Sequence, residues 1–476
     1  MSSRTEERTQ AQAGDLPGGG FGPRFVAATS FGSVLNPVNS SIIAVALVSI
    51  GHAFGVTTAT ATWLVSVLYL ATAVGQPTMG RLADLVGPRR VYLGGTALVA
   101  AGGLLGWAGW SFGSLIAARI IIGLGTSAAY PAAMAMVRRQ SRRLRREPPG
   151  SVLGALAVAG QVTMAVGPPL GGLLIAAGGW RSTFAINVPV AVVGTIAALA
   201  WLPRDDQPLR LRVAWHELDP PGLGLFTAAL TALLVFLMEL ATPHWWLLAA
   251  AIGLFAALNV RELRAGAPFI DVRMLTRNRA LTTTYLRYGV AMAITYGFIY
   301  GWTPWLEQSA GMSAAEAGLL MVPGFAVAAV VSGWASRSNR LKLLLTGGAA
   351  ALAGVSASMM VLDGTAPVWV LVAVSVVFGV QNGLNIVTNQ AAMYAQAPAD
   401  ATGTAAGLLR TSMYLGAIVS ASLISLSYGR EATDAGLHRL GLLLTVASVA
   451  LLIATISDRH LPISAPPVRA MRFRRG

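Results

Sequence analysis

A chain of 476 residues that is 55% hydrophobic and only 11% charged cannot cover a water-facing surface, which excludes an ordinary soluble enzyme or binding domain and makes lipid its main solvent. The formal net charge of +15 would suit a nucleic-acid binder, yet the basic residues fall in short clusters between long apolar runs, so no nucleic-acid partner is expected. With no cysteine there is no disulfide framework, thiolate nucleophile or thiolate metal site.

Residues 1–23 are polar and Gly-rich, lack the apolar core and cleavage site of a secretory signal, and are expected to form a disordered cytoplasmic tail. From Phe25 to Leu461, apolar runs of roughly 18 to 28 residues recur, each long enough to cross about 30 Å of hydrocarbon as a helix. Fourteen spans are predicted, at 25–50, 62–80, 91–110, 113–137, 151–177, 182–202, 220–241, 244–261, 280–305, 313–335, 341–362, 366–393, 403–428 and 437–457.

If the N-terminus is cytoplasmic, 28 of the 34 Lys and Arg residues fall in predicted inner segments. Outer segments keep only Arg181, Arg430 and Arg439, while Arg119, Arg287 and Arg410 fall inside spans. This is the positive-inside pattern, and one wrongly inserted span would reverse it from that point on. The expected fold is therefore an all-α membrane protein in the cell membrane with both termini cytoplasmic. Its units are an N-terminal six-helix bundle (24–202), linkers with an extra helix pair (203–279), a C-terminal six-helix bundle (280–461) and a basic cytoplasmic tail (462–476).

Several stretches carry more than hydropathy. Between the second and third spans, Gly80-Arg81-Leu82-Ala83-Asp84-Leu85-Val86-Gly87-Pro88-Arg89-Arg90 combines glycines that permit a tight turn with an acid able to pair with arginines or cap a helix. In the fourth span, Arg119 is followed by Gly123 and Gly125, and an unpaired charge there is costly unless it faces protein or water. The fifth span contains Gly160 and then Gly167-Pro168-Pro169-Leu170-Gly171-Gly172, in which proline kinks the helix and glycines admit a close neighbour.

Together with Trp180 to Pro189, Pro304 to Gln308, Gly311 to Pro323 and Gly403 to Gly416, these stretches resemble the major facilitator superfamily, specifically its fourteen-helix drug:proton antiporter branch. The resemblance implies two six-helix bundles plus an extra central pair, alternating access, and efflux of drugs or antibiotics. It assigns Gly80, Arg81, Asp84, Gly87, Arg89 and Arg90 to the conformational switch loop, and Gly160, Gly167, Pro168, Gly171 and Gly172 to an antiporter motif. The sequence departs from the family pattern at Ile122, which stands where glutamine is usual. In the first span, Asn39 stands in place of an aspartate, Ala44 in place of a polar residue and Val48 in place of a proline.

No Asp or Glu falls near the middle of a predicted span; Asp84, Glu239, Glu307 and Asp363 all sit at edges. With Arg119, Arg287 and Arg410 inside and no evident mid-membrane counter-charge, a neutral or anionic amphipathic substrate is expected. A proton gradient would couple through Asp84, Glu239 or Glu307. Helical spacing makes Ser33, Asn36, Asn39 and Ser40, then Asn382, Asn385 and Asn389, candidate cavity residues. Tyr285, Tyr288 and Tyr296 form a stripe suited to a flat ligand, with Gln161 a lone polar residue on the fifth span.

The five histidines sit at loops or span ends, so neither a metal site nor enzyme chemistry is expected, and no cofactor is required. The expected partners are a small-molecule substrate and the bilayer, with the protein a monomer.

Overall fold

The computed structural model describes residues 21–144, 159, 163, 166–167, 169–205, 219–240, 242–265, 272–338, 340–397, 402–459 and 461. Residues 1–20 of the predicted N-terminal tail, the predicted C-terminal tail, Gly160, Gln161 and Pro168 lie outside them, as do the side chains of Ser33, Asn36 and Asp84, while Pro23 at the end of the predicted N-terminal tail already begins the first helix. The described elements are all helical.

The first predicted span is broken: α1 (Pro23–Ile42) passes through a 3-10 turn at Ile43–Ala46 into α2 (Leu47–Phe54). The break sits where Ala44 departs from the family pattern, and mid-span 3-10 geometry of this kind often marks a hinge. Then follow α3 (Thr58–Ala61), α4 (Trp63–Val86), α5 (Pro88–Ala108) and the long α6 (Phe112–Leu144). The described part of the fifth span is α7 (Pro169–Gly178), followed by α8 (Arg181–Ala185) and α9 (Asn187–Trp201). The extra pair is α10 (Pro220–Met238) and α11 (Trp245–Glu262). After the short α12 (Val272–Arg277) come α13 (Arg279–Gln308), α14 (Ala314–Leu320), α15 (Val322–Ala335), α16 (Leu341–Ser358), α17 (Val368–Gln396), α18 (Thr402–Tyr428) and α19 (Asp434–Ser457).

Eleven described helices or helix pairs are long and apolar enough to cross a membrane. The other three predicted positions hold the broken first span, the partly described fifth, and α13, whose tyrosines and threonines lower its hydropathy. Exposed tryptophans mark both faces of a lipid slab. Trp107, Trp110, Trp245, Trp246 and Trp369 ring one end and Trp201 and Trp334 the other, as aromatic belts do. The first ring surrounds the arginine-poor end of the bundle, and the second lies beside the arginine-rich end.

Helices α1, α4, α5, α6 and α9 pack into one half, and α13, α15, α16, α17, α18 and α19 into the other. The halves meet chiefly where α4 lies along α18. Helix α10 packs on α11 and also reaches both α4 and α18, so the extra pair lies beside this seam. Met238 at its end receives Ser66 Oγ from one half at 3.5 Å and Ser422 Oγ from the other at 3.9 Å. At the opposite end of the pair, Arg261 holds Asp219 at 2.6 Å, tying α11 to the start of α10.

Candidate functional site

The seam between the halves is the candidate site, and its arginine-poor end is closed by uncharged contacts. Thr58 N–H donates to Arg430 O and Ala59 N–H to Gly429 O, both at 3.0 Å, so backbone from one half pairs with backbone from the other. Gln308 adds a bridge, bonding Thr58 Oγ1 at 3.3 Å while its Oε1 accepts from Ala432 N–H. Nearby, α7 meets α14 so closely that a Cβ on Gly172 would lie 2.6 Å from Ala315 Cα and 2.7 Å from Ala314 O. Only glycine permits that approach, because backbone cannot move aside as a side-chain tip can. Gly167 and Gly171 face Ser41 and the Ile42–Val45 stretch of the first span.

Towards the middle, the seam becomes aromatic. Tyr69 on α4 donates or accepts a 2.8 Å hydroxyl bond with Tyr300 on α13, and Tyr300 Oη also lies 2.6 Å from Ser40 O. The Tyr69 ring lies 5.1 Å from Tyr296 and stacks at 5.7 Å on Tyr414 of α18; Tyr296 stacks on Tyr300 at 5.8 Å. Gln76 Nε2 donates to Tyr414 Oη at 3.1 Å. One turn before Tyr414, the Arg410 guanidinium lies 3.5 Å above the Tyr130 ring of α6, a cation–π contact across the seam.

At the other limit of this column, Arg119 is buried and donates from Nε to Leu64 O at 3.0 Å and from Nη1 to Asn39 O at 3.2 Å. Its Nη2 is buried with no acceptor among the described residues. No carboxylate among the described residues pairs with Arg119 or Arg410. Arg287 is different. Its Nη1 lies 2.9 Å from Asp458 Oδ2 with both side chains buried, and its other nitrogens bond Asn389 Oδ1 and Thr284 Oγ1. The expectation of three interior arginines without a counter-charge is therefore corrected for this one. Asp458 follows the predicted end of its span, and the inward position of Arg287 on α13 brings the two together.

At the arginine-rich end, the described contacts brace each half internally. Gly87 has φ +108°, and a Cβ there would lie 2.4 Å from Asp205 Cγ. The turn thus needs glycine twice over, for conformation and for room. Asp205 accepts from the backbone N–H of Arg89 at 3.3 Å and of Arg90 at 2.9 Å, which are the first donors of α5. It also pairs with Arg139 at 3.5 Å. A carboxylate at a helix N-terminus satisfies otherwise orphaned donors and the positive end of the dipole. Arg89 further donates to Ala198 O and Leu199 O, and Arg90 to Val86 O. Gly80 lies on α4 in ordinary contact with Pro131, and Arg81 is half-buried on the same helix.

The expected cavity amides are engaged with protein in this state. Asn39 Nδ2 donates to Asn187 Oδ1 at 2.6 Å and to Leu35 O at 3.0 Å, an interhelical bond that replaces open exposure. Asn389 bonds Asn385 and Arg287, and Asn382 is buried. Tyr285 Oη donates to Ala405 O at 3.0 Å, and Tyr288 Oη faces Met413 Sδ. Glu239 lies in an exposed turn, 3.1 Å from His244. Glu307 stands next to the bridging Gln308, with its Oε1 buried and lacking a hydrogen-bond partner. Sequence reasoning missed Tyr69, Tyr130, Tyr300, Tyr414, Asn187, Asp205 and Gln308. The helical spacings of Tyr296 with Tyr300 and of Arg410 with Tyr414, four residues each, carried a signal for three members of the column.

Residues 29–421 match a family model described as Major Facilitator Superfamily. The chain is 31% identical over 438 residues to the MFS-type transporter YwoD of Bacillus subtilis, covering 91% of this chain and 96% of that protein. It is 26% identical over 457 residues to a tetracenomycin C resistance and export protein of Streptomyces glaucescens, covering 91% and 81%. The crystal structure of peptide transporter POT in complex with sulfate matches the fold with a TM-score of 0.67 at 16% identity, covering 96% of this chain and 99% of that one.

Proposed function

Because the chain belongs to the major facilitator superfamily, we propose that it exports small amphipathic organic molecules by alternating access, moving them from the arginine-rich to the arginine-poor side. The chain is a multi-pass membrane transporter of small molecules, not an enzyme. By the positive-inside argument the arginine-rich end and both termini face the cytoplasm. Fourteen crossings, with units at 24–202, 203–279 and 280–461, fit the seam and the flanking position of α10.

The observation that carries the proposal is the asymmetry of the seam among the described residues: contacts between halves run from the arginine-poor surface to the middle, whereas the described ion pairs Arg139–Asp205 and Arg287–Asp458 at the other end lie within a half. This asymmetry supports reading the structure as an inward-facing state that takes cargo from the cytoplasm. Export also agrees with the printed role of the Streptomyces relative.

Proton coupling is assigned to Glu307. Its partnerless buried oxygen and its place beside Gln308 tie its hydration to opening of the outer seal, and a charged carboxylate is costly to bury without a partner. Glu239, exposed and paired with His244, does not share these features. The test is uptake into inverted vesicles under an imposed pH gradient. Glu307→Gln is expected to abolish gradient-driven uptake while Glu239→Gln retains it; unchanged coupling in Glu307→Gln contradicts the assignment.

A second reading, an exporter or facilitator dedicated to one neutral or anionic metabolite, is favoured by the Asn39–Asn187 pair. It places two neutral amides where the related antiporters carry an acid. Expression giving protection against one compound only, not several unrelated ones, would support it.

A further inference from the structure

The tyrosine column presents a chemistry that the exporter reading leaves open. Three of its four ring contacts are made between halves, one of them stacked: Tyr69 belongs to one half, and Tyr296, Tyr300 and Tyr414 to the other. Cargo entering from the arginine-rich side, and the rocking of the halves that follows, must part these rings. Each separated phenol then exposes a flat apolar face with a polar edge, in a site where its ring partners sit 5.1 to 6.3 Å away. The group best able to occupy such a face is another planar ring, since offset stacking at these distances is the preferred aromatic geometry.

Charge decides which kind of ring. Arg410 stands at the arginine-rich limit of the column, half-buried, with phenol rings as neighbours and no carboxylate partner among the described residues. Arg119 stands near its other limit with one nitrogen unsatisfied. A cation held by the Tyr130 ring face and a hydrogen bond with the Tyr414 hydroxyl still lacks the counter-charge that intramembrane arginines normally find. Tyrosine cages can also hold cationic ligands, but Arg410 already occupies the Tyr130 face and repels a second positive charge.

We propose that the column receives aromatic acids, planar rings bearing a carboxylate or sulfonate, with Arg410 as counter-charge and the Tyr69 and Tyr414 faces as stacking partners. The proposal rests on the exporter reading for its direction of transport, but the recognition does not depend on it. Arg410 is the first anion contact for a molecule entering from the arginine-rich side, and Arg119 lies at the far limit of the column. The departing cargo is replaced by the tyrosines themselves, which restack across the seam.

The test uses purified full-length protein in nanodiscs and three fluorescent probes of one ring system: anthracene-9-carboxylate, 9-anthracenemethanol and protonated 9-(aminomethyl)anthracene. The carboxylate is expected to bind roughly 10-fold tighter than the alcohol, and the ammonium compound most weakly. Arg410→Gln should remove the preference for the acid while alcohol binding persists, and Arg410→Lys should restore part of it. Decanoate, an acid without a ring, should compete poorly.

If Arg410→Gln fails to fold, the wild-type ranking and Arg410→Lys still decide. Equal or tighter binding of the ammonium probe, an unchanged preference in Arg410→Gln, or decanoate competing as well as the aromatic acid overturns the proposal. Binding is read without a gradient. Acid binding with no transport would stand against the exporter reading alone, and transport without acid preference against this inference alone.

Discussion

The two ends of the seam are built from different chemistry. At the arginine-poor end the halves touch through backbone hydrogen bonds, a glutamine amide and a glycine contact, none of them an ion pair. At the arginine-rich end, Asp205 with Arg139 and Asp458 with Arg287 brace each half within itself. Neutral hydrogen bonds contribute about 0.5–1.5 kcal/mol each and re-form with water at modest cost. Breaking a pair buried on both sides, as Arg287–Asp458 is, costs several times more, roughly 3–5 kcal/mol, whereas the Arg139–Asp205 pair is partly exposed on its arginine side. Under the proposed alternating access, reversible contacts thus lie between the moving bodies and the costly buried pair lies inside one of them.

The largest effect expected from disturbing this contrast is at Gly172. Gly172→Leu drives a side chain into the Ala314–Ala315 backbone, which stands 2.6 Å from the Cβ position. Transport should fall by about 10-fold or more, equivalent to at least ~1.4 kcal/mol on the closed state. Size-exclusion behaviour and helicity should stay those of the native protein. Wild-type transport would show that α7 and α14 need not meet.

Asp205→Ala comes next, because it removes the acceptor for two helix-end donors and the partner of Arg139. A loss near 1–2 kcal/mol is expected from the cap alone, read as a lower melting temperature, with Asp205→Asn keeping part of it. An unchanged melting curve for Asp205→Ala would mean that the clasp does not brace the N-terminal half.

Gln308→Ala should have a smaller effect. It deletes one bond between the halves, to Thr58, and one within the C-terminal half, to Ala432, each worth about 1 kcal/mol, and should raise labelling of a cysteine placed at Ser309 severalfold. Labelling at the wild-type rate would assign the seal to the backbone pairs alone.

How much of this was legible in the sequence follows the same division. Hydropathy and arginine placement are statistical properties of long stretches, so the helical architecture and the orientation argument were readable early. Gly87 was recognisable as a turn residue, but its partner was not. Asp205 lies more than a hundred residues away in a linker, and nothing local says that it will cap α5. Asn39 was read as a cavity residue because its spacing places it on a polar face. Spacing cannot show that Asn187 waits opposite at 2.6 Å. The tyrosine column was only partly visible for the same reason: of the Tyr285, Tyr288 and Tyr296 stripe only Tyr296 joins it, next to Tyr300 one turn on, whereas Tyr69 and Tyr414 meet only when the two halves pack. Pairings across the seam belong to tertiary structure, and the sequence carries them only as unpaired polar residues at helical intervals.

The most direct test of the account concerns the outer seal. The chain has no cysteine, so Thr58→Cys with Arg430→Cys introduces a single cross-linkable pair where the two backbones bond at 3.0 Å. Cross-linking should trap the closed seam, abolish transport while leaving cargo binding from the arginine-rich side intact, and be reversed by a reductant. Transport at the uncross-linked rate with the bridge in place would contradict the claim that the halves part at this end.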